Sequence, residues 1–146
     1  MNDTAGIVQD SYKLTEIFGY WPSFHDAEVI NITLSRDSEN NTAELTADIH
    51  VFEMTNQVSG SGTYICRHHS IVSILFTEIY ELELDAFNHQ NALMQLSIED
   101  ISQRQLERVK LSVIFEPAYG FGCDFVCRSA RVISVKAGIP RGSVYA

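Results

Sequence analysis

Apolar and polar side chains alternate with a period of two along most of this chain, and only near the N-terminus does the spacing lengthen to that of a helix. Asp10 to Gly19 carries Leu14, Ile17 and Phe18 at helical spacing, an Asp-Ser pair suited to capping and a glycine at its stop, which predicts a short helix. From Glu28 to Ser35, Ile30, Ile32 and Leu34 face one way while Asn31, Thr33 and Ser35 face the other, the pattern of a half-buried strand. A polar turn at Arg36 to Asn41 leads into a second alternation over Thr42 to Phe52. There Leu45, Ala47, Ile49 and Val51 point inward against Glu44, Thr46, Asp48 and His50, so the pair predicts a β-hairpin.

Thr55 to Gly62 has the composition of a mobile loop, with Thr63 to Arg67 a short strand after it. Ser70 to Phe76 and Ile79 to Phe87 predict two strands joined by a bulge or tight corner near Thr77-Glu78. Strands follow at Ala92 to Ile98, where Leu93 is out of phase, at Val109 to Phe115, and as one long strand or a pair over Cys123 to Lys136. Glu116 to Gly122 is rich in turn residues. Strands do not alternate with long helices, which excludes a doubly wound parallel sheet. The expected fold is α+β: a mainly antiparallel, curled or two-layer sheet of six to eight strands with one short N-terminal helix. Residues 1–146 are expected to form a single domain, with 1–9 and 139–146 as loose termini.

Composition narrows the function classes. The 146 residues carry a net charge of −9, which opposes direct binding to nucleic acid or to an anionic membrane and suits a partner with a positive surface. No apolar run approaches the roughly 20 residues of a membrane helix, and Met1 to Asp10 does not read as a secretory signal, so the expected location is the cytoplasm. Three cysteines, Cys66, Cys123 and Cys127, form no disulfide framework. Cys123 and Cys127, four apart on a strand, stand about 13 Å apart and read as buried apolar side chains rather than metal ligands.

Candidate chemistry concentrates in Phe18-Gly19-Tyr20-Trp21-Pro22-Ser23-Phe24-His25-Asp26-Ala27-Glu28-Val29. Trp21, Pro22 and Phe24 suit a clasp closing one end of the core, with His25 and Asp26 satisfying the turn. His25, Asp26 and Glu28 are also the nearest thing to an acid–base or metal site, joined by His50, His68 or His89 from elsewhere in the chain. The adjacent His68 and His69 point to opposite strand faces and do not form a chelate alone. No nucleophile turn, phosphate loop or dinucleotide fingerprint occurs, and no cofactor is implied. Glu81, Glu83 and Asp85 alternate with Leu82 and Leu84, which places three carboxylates on one strand face beside Tyr80.

The helix, the Trp21-Pro22-Ser23-Phe24-His25-Asp26-Ala27-Glu28-Val29 segment, Phe76 before the acidic strand, Phe87 to Asn91, and Tyr119-Gly120 before Cys123 to Cys127 together resemble the immunity protein 50 family of bacterial polymorphic toxin systems. The likeness runs from about residue 14 to 137. It implies a cytoplasmic protein that binds a cognate toxin domain and blocks it without catalysis; the acidic composition suits a basic toxin such as a nuclease, with occlusion of its active site the expected mechanism. The resemblance carries over no binding residues; the acidic strand supplies the expected contact surface, Glu81, Glu83 and Asp85 with Tyr80 as an aromatic anchor. Two other readings stay open: a small metal-dependent or acid–base enzyme built on His25, Asp26 and Glu28, and an oligomerising scaffold.

Overall fold

The computed structural model describes residues 4–145. Eight strands, β1 (Glu28–Asp37), β2 (Thr42–Val58), β3 (Tyr64–Thr77), β4 (Tyr80–Asp85), β5 (Ala92–Asp100), β6 (Leu111–Tyr119), β7 (Gly122–Cys127) and β8 (Ser129–Ala137), form one antiparallel sheet in the order β4-β7-β6-β5-β1-β2-β3-β8. The sheet is not closed; β4 and β8 are its edges. Helices are few and short: α1 (Thr4–Ile7), α2 (Tyr12–Phe18) and a 3-10 turn at Ser102–Arg104. The single N-terminal helix expected from spacing is α2, closed by Gly19 at φ 85, and a further helical turn, α1, precedes it.

Alternation along the strands builds the core. Ile49, Val72, Ile74, Val113 and Ile98 are fully buried on the inner face. In the strand order β3 and β7 stand five places apart, which at about 4.8 Å per strand would separate them by roughly 24 Å in a flat sheet. Yet the rings of Phe76 on β3 and Phe125 on β7 are 5.1 Å apart, edge to face, and Phe76 meets Phe115 of β6 at 6.1 Å. Burial of these aromatics therefore curls the sheet until its two ends meet. The meeting point is a corner where Glu78 adopts φ +53 and the Arg128 N–H donates to the Thr77 carbonyl. Asn91 ties the far side: its amide donates to the Val29 carbonyl while its Oδ1 accepts from the main chain of Asn88 and Phe121.

Three stretches differ from the reading of the sequence. The first half of the expected loop at Thr55 to Gly62 is strand, because Glu53 pairs with Arg67, Met54 with Cys66 and Val58 with Tyr64; the turn is confined to Ser59 to Thr63. This arm projects with most of its side chains exposed, so it lacks the apolar face that betrays a strand. Leu93 is fully buried although out of phase, because register shifts flank it on β5. Both ends also make contacts. Gln9 bridges Arg131 alongside β8, and Ser143 near the C-terminus donates to Glu28; residues 1–3 and 146 lie outside the described residues.

Candidate functional site

The aromatic connection sits where the helix hands over to the sheet. Trp21 packs against the core, Pro22 is buried, and Phe24, 1% exposed at φ 63, lies 5.6 Å from the Trp21 ring. A buried aromatic held at positive φ is strained and needs its surroundings to fix it. Two main-chain bonds supply that: the Asp26 N–H donates to Leu93 and the Leu93 N–H donates to Ala27. His25 and Asp26 pair at 3.2 Å near the surface. Glu28, two residues on, belongs to a different group.

Glu28 stands directly across from His50 on the outward side of β1 and β2, yet it is 6% exposed and His50 is fully buried. The His50 Nδ1–H donates to Glu28 Oε1 at 2.8 Å, and on the far side of the ring Nε2 lies 2.9 Å from His69 Nδ1. Ser143 donates its hydroxyl to Glu28 Oε1 at 2.6 Å, and the Val144 N–H approaches Oε2 at 3.4 Å. Tyr145 then packs tilted against Phe52, which packs tilted against His50 and covers one side of the chain of polar groups. Burial alone would raise the Glu28 carboxyl, but the hydrogen bonds from His50 and Ser143 hold it below its ordinary value. Burial pushes the His69 imidazole down, and His50 beside it pushes the same way. The sequence trio is thus divided: His25 with Asp26, Glu28 with His50 and His69. His68 turns instead toward Phe18, and His89 toward Tyr119. His50 and His69 carry no signal in sequence beyond their type, because their meeting with Glu28 depends on strand register.

A second group lies on the outer face of β4, β7, β6 and β5. Glu83 is directly opposite Asp124, Asp124 opposite Ile114, and Ile114 opposite Ser97; alongside run Asp85 against Gly122 and Gln95 against Glu116, with Glu99 against Ser112. Tyr80 faces Val126, which faces Ser112. Glu83, Asp85, Glu99, Glu116 and Asp124 are all exposed, and no Lys or Arg occupies a paired position of this face. Glu81 departs from the expected ladder of carboxylates. It has φ 57 and falls in a register shift between Tyr80 and Glu83, so the alternation restarts at Leu82 and the neighbours of Glu83 and Asp85 come from β7 and β6. Asp124, Glu116 and Glu99 were missed in sequence because they belong to three separate strands.

A third cluster holds the corner of the sheet. Glu78, 6% exposed, accepts from Arg108 Nε at 2.9 Å, and Arg128 stands 3.7 Å from its other oxygen. Arg108 holds the Glu78 carboxyl below its ordinary value. Both guanidiniums are more than half exposed. The group braces Glu78 of the β3–β4 bend against Arg108 of the β5–β6 connection and Arg128 of the β7–β8 bend. Cys123 and Cys127 are buried on β7 with their thiols pushed up to about 12 by burial, which makes them inert. Among the described residues no set of His, Cys, Asp or Glu side chains converges to hold a metal ion, and no helix is long and apolar enough to cross a membrane.

The family model described as Immunity protein 50 matches residues 10–138, from the start of α2 to just past β8, and the chain belongs to that family. No curated protein and no solved structure matches it.

Proposed function

We propose that this family member is a toxin-neutralising immunity protein of a bacterial polymorphic toxin system, which binds a cognate toxin domain in the cytoplasm and occludes its active site without catalysis. One observation carries the choice of surface: Glu83, Asp85, Asp124, Glu116 and Glu99 share an outer sheet face without a neutralising cation of their own. Such a face complements a basic active-site cleft, as a nuclease presents to phosphates, and accelerates encounter with it. Ile114 and Val126 at its centre, with Tyr80 at its margin, supply apolar contact.

The second reading, a metal-dependent or acid–base enzyme built on His25, Asp26 and Glu28, meets a trio that the fold divides, with His25 beside Asp26 and Glu28 beside His50 and, through it, His69. Its weakness is that both Glu28 oxygens and both His50 nitrogens are already engaged within the fold, and Tyr145 closes over them. Co-expression with the toxin domain tests the first reading: the wild-type chain restores growth. With Glu83→Lys, Glu116→Lys and Asp124→Lys combined, association slows at least about tenfold and its salt dependence flattens. Unchanged kinetics would remove this face from the interface.

A further inference from the structure

The two edges of the sheet are treated differently by the chain itself. β8 is flanked by the N-terminal segment, where the Gln9 N–H donates to Ala130 and the Val132 N–H donates to the Gln9 carbonyl. β4 pairs only with β7, and no other segment among the described residues hydrogen-bonds to its outer side. Five of its six residues are exposed. Glu81 and Ala86, at φ 57 and 58, bound a short regular stretch from Leu82 to Asp85. An edge of this kind offers main-chain N–H and C=O groups to a further strand.

We propose that the open edge of β4 receives a β-strand of the toxin domain, whose Lys or Arg side chains then settle on the acidic outer face. The inference deepens the reading above and rests on it. Its partner chemistry follows from charge. Glu83 directly opposes Asp124, so two like charges face each other across the β4–β7 ladder, and a basic strand added at β4 relieves that repulsion. A second copy of this chain does not: antiparallel pairing of two β4 strands brings the carboxylates of Glu83 and Asp85 against their own kind. Tyr80 and Leu84, both partly exposed, and Phe87 just beyond the strand give such a segment apolar contacts along the same edge.

Single-residue hydrogen exchange of the whole chain, with and without a catalytically inactivated cognate toxin domain, tests the proposal. The amides between Leu82 and Asp85 that point away from β7 are expected to slow at least tenfold in the complex, while those of β8 keep their rates. Glu83→Pro and Leu84→Pro add a second readout, since one of two adjacent amides bonds β7 and the other points outward. The outward member keeps the thermal midpoint of the free protein and weakens the complex at least tenfold. A complex in which the β4 amides exchange unchanged overturns strand addition and leaves the immunity reading in place. Absence of any complex removes both. Slowing of the same amides in the free protein as its concentration rises identifies the occupant as a second copy and overturns the basic partner.

Discussion

Glu28 and Glu83 both sit on the outward side of strands in one sheet, each with a titratable side chain directly opposite, and their situations are otherwise reversed. Glu28 faces His50, is covered by Ser143, Val144 and Tyr145, and has hydrogen-bond donors at both oxygens. Glu83 faces Asp124, has no cation at any paired position, and stays in water. A buried carboxylate is tolerated only when the fold itself neutralises and solvates it, so the charge of Glu28 is spent internally. An exposed carboxylate without an internal partner keeps its charge in water, where the proposed partner would meet it. The outward face of the sheet is thus divided into a sealed half and an open half, and the sealing agent is the C-terminal segment.

Breaking the sealed half gives the largest effect. Glu28→Ala leaves the His50 Nδ1–H, the Ser143 hydroxyl and the Val144 N–H without their acceptor, and removing one partner from a buried charged group costs about 3–5 kcal/mol. Urea unfolding measures this directly. A loss under about 1 kcal/mol, the range of an exposed pair, would show that Glu28 is no more committed to the fold than Glu83. The equivalent change on the open half, the triple lysine variant, is expected to leave the unfolding midpoint near that of the wild type while slowing association.

Acid sharpens the comparison because Glu28 and His69 in the sealed half are both held below their ordinary values, whereas the groups lowered elsewhere, Glu78 at the corner with Asp37, Glu53 and Asp100, are carboxylates. The folded state holds the His69 imidazole below its ordinary 6.5, so below that pH the unfolded chain binds a proton that the folded one does not. Stability from this group is complete above pH 6.5 and is lost as the pH falls through the folded value. Glu28 is likewise held below 4.5, and its contribution disappears in a lower window, as pH falls from 4.5 through its folded value. Unfolding free energy measured from about pH 8 to about pH 2 is expected to decline in these two steps, the lower one shared with Glu78, Glu53, Asp37 and Asp100. His69→Gln removes the upper step and leaves the lower; a profile with the upper step intact in that variant would assign it to another histidine.

How much of this division is legible in sequence depends on whether the signal is local. Strand alternation located the hairpin, the corner at Glu78 and the inward sets of β6 and β7, because each needs only a few consecutive residues. Glu83, Asp85 and Tyr80 could be named for the same reason. The partners that give them meaning could not, since Asp124 and Glu116 reach that face only through the β4-β7-β6 order and its register. The local rule also misplaced Glu81, where positive φ at a bulge breaks the period of two. Glu28 illustrates the same limit from the other side. Its helix-to-strand setting is visible in the residues, but a pairing with His50 and a contact with Ser143, 115 residues away, are properties of the assembled sheet.

The smallest expected effect runs in the opposite direction to the first. If Glu83 and Asp124 oppose each other without an internal cation, then neutralising one of them stabilises the free protein. Like charges directly across a ladder cost roughly 0.2–1 kcal/mol, so Asp124→Asn is expected to raise the unfolding free energy by a few tenths of a kcal/mol at low salt, and by less as salt screens the pair. Under the proposed strand addition the same substitution is expected to weaken the toxin complex, because it removes a charge that a basic strand would neutralise. Stability and binding moving in opposite senses at one position mark a charge retained for a partner, as Glu28, where loss of the carboxylate harms the fold itself, is not. If Asp124→Asn instead destabilises the free protein, Asp124 contributes to the fold as Glu28 does, and the open half of the sheet does not include β7.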